Sequence, residues 1–397
     1  MGERTAQRQL VAVDLAPGPR LVAALREAWD GGPAVAPLPR GLPPRARVEV
    51  LAALRASRLV SERGSIPLPS PLAVAEDVAL VVATSGSTGA PKGVALSRGA
   101  LEASAIASLA RLGGQRSTRW LCCLPLSSMG GIGVLTRSFL TGTDPVVLRR
   151  FTPEGVAGAG DVDAVSLVPT MLARLLDAGV DLARFRHVLL GGAEAPPALL
   201  ARARAAGAAL VTTYGLTETC GGCVYDGVPL DGVEVDIAGA GGRVRIRGPV
   251  LAEGYRAADG DGGAVAGADG WLVTNDLGRF AADGRLEVLG RADDVIVTGG
   301  VNVVAGRVAA LLAEHPAVAQ AAVLGVGDPE WGERVVAVIV PRDPAAPPDL
   351  PTLRAFLAER SPAATAPRQL LLTDHLPLLA NGKLDRLALR ARASEHR

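Results

Sequence analysis

The segment Thr84-Ser85-Gly86-Ser87-Thr88-Gly89-Ala90-Pro91-Lys92-Gly93-Val94 is the stretch on which the reading of this chain turns. An apolar run at 78–82 precedes it and reads as a buried strand. Beyond it, Ser97 is placed to cap a helix running to about Leu112, where Gly113-Gly114 stops it. A loop rich in glycine and hydroxyls between a strand and a helix can wrap phosphate oxygens with backbone N–H groups, Ser/Thr side chains and one ammonium. It is not a Walker A loop, because Pro91 stands where the second glycine belongs and Gly93 replaces the Ser/Thr. Composition alone would make it an ordinary flexible connection. Lys92 inside it points to phosphate.

Outward from that loop, short apolar runs at 120–124, 146–148, 164–168, 188–190 and 210–213 alternate with helix-period segments such as 170–178 and 197–206. This rhythm predicts a largely parallel sheet covered by helices. Past Gly221 the pattern changes to strands joined by tight turns, at 233–237, 242–247 and 271–274. Asp283-Gly284 between 278–281 and 286–289 predicts a hairpin. After Arg291 a new unit begins: a strand at 295–297, a helix near 308–313, strands at 317–324 and 335–340, and a helix at 353–359. The first 75 residues read as helical segments interrupted by Pro-rich spacers at 33–44 and 67–71. The expected fold is α/β: a large N-terminal body of parallel sheets covered by helices with a β-rich subdomain, residues 1–291, then a small mobile α+β C-terminal domain, residues 292–397.

Composition narrows the function classes. The 397 residues leave room for two or three domains. Forty-one basic against 40 acidic residues give a net charge of +1, so a nucleic-acid binder relying on phosphate neutralisation is disfavoured. No apolar stretch of about 18 residues predicts a membrane span, and the N-terminus resembles no signal peptide, so a cytoplasmic protein is expected. Four cysteines make no disulfide framework. Only two of the 41 basic residues are lysines, Lys92 and Lys383. Arginine has replaced lysine wherever a generic positive charge would serve, so the two survivors suggest sites that need a compact ammonium.

Several templates fail. No serine has glycine at both −2 and +2, and no Gly-x-Gly-x-x-Gly run completes. The histidines (His187, His315, His375, His396) form no local metal motif. Cys220-Gly221-Gly222-Cys223, with Cys122-Cys123, reads as small buried thiols more readily than as a zinc or redox site.

Four later segments follow the loop in fixed order: Thr213-Tyr214-Gly215-Leu216-Thr217-Glu218; Thr274-Asn275-Asp276-Leu277-Gly278; Gly290-Arg291-Ala292-Asp293-Asp294 with Gly299-Gly300; and Asn381-Gly382-Lys383. Together with the loop they resemble the acyl-adenylate-forming, or AMP-binding, family, which includes acyl-CoA synthetases, luciferases and peptide-synthetase adenylation domains. The resemblance implies an ATP-dependent enzyme that adenylates a carboxylate with Mg²⁺ and passes the acyl group to CoA.

It also implies roles residue by residue. Thr84, Ser85, Gly86, Ser87, Thr88, Gly89 and Lys92 would hold the β- and γ-phosphates of ATP. Gly191-Gly192-Ala193 would line the adenine pocket, with Tyr214 stacking on the base beside Gly215. Thr217 would contact phosphate and Glu218 would hold Mg²⁺. Asp276 would accept from the ribose hydroxyls, with Arg291 in the same region. Lys383, on the C-terminal domain, would reach between the carboxylate and the α-phosphate and stabilise charge where it develops. Asp293 matches the hinge about which that domain turns. Gly299 and Gly300 would line the path of CoA.

Some positions depart from the family pattern. Ser128 stands where the family often has His, near the acyl pocket, and Arg307 and Ala309 replace acidic residues after Asn302. The Glu218–Gly222 continuation and the stretch 224–233 are most similar to family members that act on an aromatic dicarboxylate. There the second carboxylate needs a polar or cationic partner, for which Arg137 is a candidate and Cys220 a neighbour. A ligase for another acid, a carrier-protein-loading enzyme and an inactive nucleotide-binding protein are the alternatives, and homo-oligomerisation is left open.

Overall fold

The computed structural model describes residues 7–85, 90–113, 118–239, 242–362, 365–377 and 384–395. It divides into two compact units: Met1–Glu194 with Arg202–Val235 and Ile246–Leu272, and Ala195–Ala201 with Asp236–Arg245 and Val273–Arg397.

The first unit holds two large sheets. One orders its strands Gly260–Ala264, Gly254–Ala257, Pro91–Ser97, Val78–Ser85, Ala34–Pro37, Leu10–Asp14, Arg58–Ser61 and Gly64–Pro67. Its centre is parallel, with Ala34–Pro37 running alongside both Leu10–Asp14 and Val78–Ser85. The flanks are antiparallel. The other sheet runs in parallel from Val146–Val147 through Trp120–Cys122, Ala164–Leu167 and His187–Leu190 to Leu210–Leu216, then adds Gly221–Tyr225 and Val228–Pro229 antiparallel. The central strands Trp120–Cys122, Ala164–Leu167 and His187–Leu190 read as short, mostly apolar runs because both of their faces are buried.

Two expectations are corrected here. The first 75 residues are not helices joined by spacers: four strands of the eight-stranded sheet come from them, and Ala34–Pro37 lies inside the supposed Pro-rich linker. Its prolines fall at the strand's ends, where the missing N–H costs nothing. Pro19 and Pro44 start helices Pro19–Trp29 and Pro44–Leu54, as their fixed φ favours. The second correction concerns the glycine-rich loop. It does not lead into a helix, for strand Pro91–Ser97 intervenes, antiparallel to Val78–Ser85 with Thr84 opposite Lys92. The helix follows at Arg98–Arg111, with the Ser97 hydroxyl accepting from Ala100 N at 3.3 Å.

The second unit carries a four-stranded sheet, in order Glu234–Ala238, Arg243–Arg247, Leu272–Phe280 and Leu286–Arg291, with the outer residues of the first three counted in the first unit. The Asp283-Gly284 hairpin is present, with Gly284 at φ 81°. A five-stranded sheet follows, built on the antiparallel pair Val318–Asp328 and Gly332–Pro341. Alternate residues face opposite ways: Val323, Val335, Ala337 and Ile339 pack with helices Ala305–Ala313 and Leu350–Ala358. Leu324, Val336 and Val338 pack with helix Arg386–Glu395.

Candidate active site

The proposed phosphate side is built on one sheet face of the first unit. Because side chains alternate along a strand, Thr84, Lys92 and Tyr255 share that face: Thr84 pairs with Lys92, and Tyr255 pairs with Val94, two residues on. The neighbouring Arg256 points the other way and is buried, donating to the carbonyls of Leu54 and Ala73 at 3.0 Å each. That anchor fixes the strand carrying Tyr255. Glu218 arrives from a different element, the 3₁₀ turn Thr217–Thr219 at the end of Leu210–Leu216. The buried Thr219 hydroxyl stabilises this turn, accepting from Leu216 N at 2.8 Å and donating to Gly221 O at 2.7 Å. Ala252 N donates to Glu218 O at 2.8 Å and ties the turn to the chain entering the Tyr255 strand.

The result is a triangle. Lys92 Nζ lies 3.1 Å from Glu218 Oε1 and 3.7 Å from the centre of the Tyr255 ring. The Tyr255 hydroxyl donates to the same Oε1 at 3.2 Å. Burial and the Glu218 charge push the Tyr255 phenol well above its ordinary pKa, so it remains a donor. Thr84 Oγ1, at the strand position opposite Lys92, is buried and has no hydrogen-bond partner among the described residues.

A nucleotide-borne Mg²⁺ fits this donor set. Among the described residues no group of three or more His, Cys, Asp or Glu could hold a metal by itself. A single carboxylate suits an ion that brings phosphate oxygens and water as its other ligands. That Glu218 already accepts an ammonium shows an oxygen arranged to receive a cation.

The proposed adenine side requires its glycines. A Cβ on Gly191 would stand 2.2 Å from Thr213 Oγ1, and one on Gly215 would stand 1.9 Å from Gly221 O. Tyr214 and Thr217 are half-buried on the same stretch. Ser128 begins helix Met129–Thr141, its hydroxyl donating to Pro125 O at 2.9 Å. Arg137 is not on a helix surface. It is buried, 4.1 Å over the Trp120 ring, and donates to Ser166 Oγ at 3.3 Å. Burial pulls its pKa down. All four cysteines are free and buried, and burial raises their pKa values, to about 12 for Cys122 and Cys123 and about 11 for Cys223. Such thiols pack rather than react.

In the second unit the residues expected at the ribose form another cluster. Asp276 and Arg291 are cross-strand partners, with Arg291 Nη1 at 3.5 Å from Asp276 Oδ1. Arg291 also grips Asp293 with both arms, Nε to Oδ1 at 2.9 Å and Nη2 to Oδ2 at 3.0 Å. Burial works against the Asp293 carboxylate, yet the Arg291 fork holds it below its ordinary pKa. The same hydrogen bonds raise Arg291. Thr274 Oγ1 accepts from Asp276 N at 3.1 Å and donates to Val244 O at 2.7 Å, fixing the buried Asp276 backbone. Gly299 and Gly300, at φ 57° and 76°, turn the hairpin between Val295–Thr298 and Val301–Val304.

Gly86, Ser87, Thr88, Gly89, Asn381, Gly382 and Lys383 lie outside the described residues. Sequence reasoning missed Tyr255 and Arg256. The signal was faint: Tyr255 is one of only three tyrosines, and Arg256 follows it immediately.

Known proteins share the sequence and the fold of this chain. The model of the AMP-binding enzyme family matches residues 34–256, and that of the AMP-binding enzyme C-terminal domain matches 307–383. The chain is 45% identical over 327 residues to a probable 2-succinylbenzoate–CoA ligase of Mycobacterium tuberculosis (strain CDC 1551 / Oshkosh), covering 79% of this chain and 84% of that one. The fold is similar to o-succinylbenzoate CoA synthetase from Bacillus subtilis in complex with the acyl-adenylate intermediate OSB-AMP, with TM-score 0.84 and 28% identity over 98% of this chain and 88% of that one. The same B. subtilis enzyme in complex with ATP and magnesium ion gives TM-score 0.81 and 28% identity over 97% and 89% of the two chains. With the larger family model spanning over half its length, the chain belongs to the AMP-binding enzyme family.

Proposed function

We propose that this chain is an AMP-forming acid–thiol ligase that joins o-succinylbenzoate to CoA in two steps, in the cytoplasm and as part of menaquinone biosynthesis. The carboxylate attacks the α-phosphate of ATP, giving o-succinylbenzoyl-AMP and pyrophosphate. The CoA thiol then attacks the acyl carbon and AMP leaves. The observation that carries this reading is the meeting of Lys92, which stands opposite Thr84 on the adjoining strand, with Glu218 from a remote part of the sequence. The relative 45% identical, a probable 2-succinylbenzoate–CoA ligase by name, supports the substrate.

In this reading Thr84, Ser85, Gly86, Ser87, Thr88, Gly89 and Lys92 hold the β- and γ-phosphates, and Thr217 contacts phosphate beside them. Mg²⁺, when bound at Glu218, offsets phosphate charge and helps pyrophosphate leave. Gly191, Gly192, Ala193, Tyr214 and Gly215 receive adenine, while Asp276 and Arg291 receive the ribose. Lys383 stabilises the charge that develops on the α-phosphate as the carboxylate attacks. Residues 292–397 act as the small mobile domain, hinged at Asp293, with Gly299 and Gly300 on the CoA path. Ser128 and Cys220 belong to the acyl side. Arg137, a buried guanidinium with no carboxylate bonded to it among the described residues, supplies positive charge for the second carboxylate.

The test is pyrophosphate release with ATP, Mg²⁺ and a panel of carboxylic acids, with and without CoA. Selective turnover of o-succinylbenzoate with thioester formation is expected. Selective turnover of another acid would refute the substrate, and silence across the panel with folded protein would refute the reaction.

A further inference from the structure

Tyr255 has no part in the roles set out above, yet it touches both charged members of the phosphate-side cluster. Its ring faces the ammonium of Lys92 and its hydroxyl faces the carboxylate of Glu218. The side chain is held on a strand whose next residue, Arg256, is buried and hydrogen-bonded to three backbone carbonyls, those of Leu54, Leu72 and Ala73. An ammonium has three donors and no preferred plane, so a lysine on a flexible stem needs something to aim it. An aromatic face at 3.7 Å is such a device, and so is a carboxylate at 3.1 Å.

Building on the adenylating function, we propose that Tyr255 is a positioning residue with two separable tasks: its ring aims Lys92 at the ATP phosphates, and its hydroxyl orients Glu218 for the nucleotide-borne cation. The Lys92 ammonium sits on the Glu218 carboxylate, which would hold the nucleotide-borne cation. With a cation held at Glu218, Lys92 would leave that carboxylate and keep the ring, and so would not pay the full entropy of being ordered anew. Thr84 Oγ1, with no partner among the described residues, stands on the same sheet face to share the incoming phosphate.

The experiment is calorimetric ATP binding, with and without Mg²⁺, to the full chain and its Tyr255→Phe, Tyr255→Leu, Lys92→Ala and Tyr255→Leu/Lys92→Ala variants. Tyr255→Phe keeps the ring and the packing, so Mg²⁺-free ATP affinity should stay within about two-fold while the Mg²⁺ needed for half-maximal binding rises about three-fold. Tyr255→Leu loses the ring and should weaken ATP binding about ten-fold even without Mg²⁺. In the Lys92→Ala background the same change should cost less than about two-fold, because the ring has no ammonium to aim. Equal losses in both backgrounds, or identical Phe and Leu profiles, would overturn the proposal. Wild-type protein that binds no ATP would instead remove the adenylating function, which keeps the two failures apart.

Discussion

Two polar clusters, one in each unit, are made from the same ingredients and hold them differently. Around Glu218 the cation is a lysine, bound to a single carboxylate oxygen and to an aromatic face. Around Asp276 the cation is an arginine, clamped by both oxygens of Asp293 and only loosely in touch with Asp276 at 3.5 Å. The lysine arrangement suits an ammonium that must change partners when phosphate arrives. The arginine arrangement suits a fixed link, here between the proposed ribose acceptor and the proposed hinge. In a chain that uses lysine only twice, placing one at the exchanging site follows from the compactness of the ammonium.

The largest effect is expected from the other lysine. Lys383→Ala should slow single-turnover pyrophosphate release by about a thousand-fold while ATP affinity stays within about three-fold, since in the proposed mechanism the group acts on charge that exists only in the transition state. Equal losses in binding and rate would place Lys383 with Lys92 as a ground-state phosphate ligand.

Reciprocal swaps break the comparison directly. Lys92→Arg keeps the charge but brings a planar fork to a site shaped for an ammonium, and kcat/KM for ATP should fall about a hundred-fold. Arg291→Lys keeps the charge but loses the two-armed grip on Asp293, and the KM for ATP should rise about five- to ten-fold. If both swaps were silent in steady-state kinetics, the two clusters would differ in appearance only.

The smallest effect is on pH dependence, where the units should respond in opposite senses. In the first unit, desolvation and a hydrogen bond with Asp77 raise Glu253 to about 7. A carboxyl raised by folding adds stability that is fully present below its unfolded value and is lost as pH rises through about 7. Tm should therefore be roughly 1–3 °C higher at pH 6 than at pH 8, the size limited by solvent screening of this exposed pair, and Glu253→Gln should flatten the difference. Asp293 in the second unit has the reverse sign: depressed by Arg291, it adds stability above the ordinary carboxylate range and loses it as pH falls through its lowered value. Losing the two-armed grip in Arg291→Lys should make acid unfolding, followed by circular dichroism, begin at higher pH.

Much of this was legible in the residues because the signals were local. The 78–82 run, the Ser97 cap and the Asp283-Gly284 turn each depend on neighbours within a few positions, and each stands where expected. What was not legible depends on distant partners. Ala34–Pro37 is four residues flanked by prolines, and only its burial between two other strands makes it a strand. Strand Pro91–Ser97 opens with a proline that reads as a loop until its antiparallel partner is seen. Tyr255 acquires meaning through Lys92 and Glu218, one on the adjoining strand and the other in a turn of the second large sheet. Periodicity has no access to that meeting.

The central claim is tested most directly by trapping the intermediate. The protein is mixed with ATP, Mg²⁺ and o-succinylbenzoate without CoA, quenched, and analysed by mass spectrometry before and after CoA is added. The account predicts o-succinylbenzoyl-AMP bound to the protein, discharged by CoA to AMP and o-succinylbenzoyl-CoA. Protein that binds ATP and o-succinylbenzoate yet yields no adenylate would contradict it.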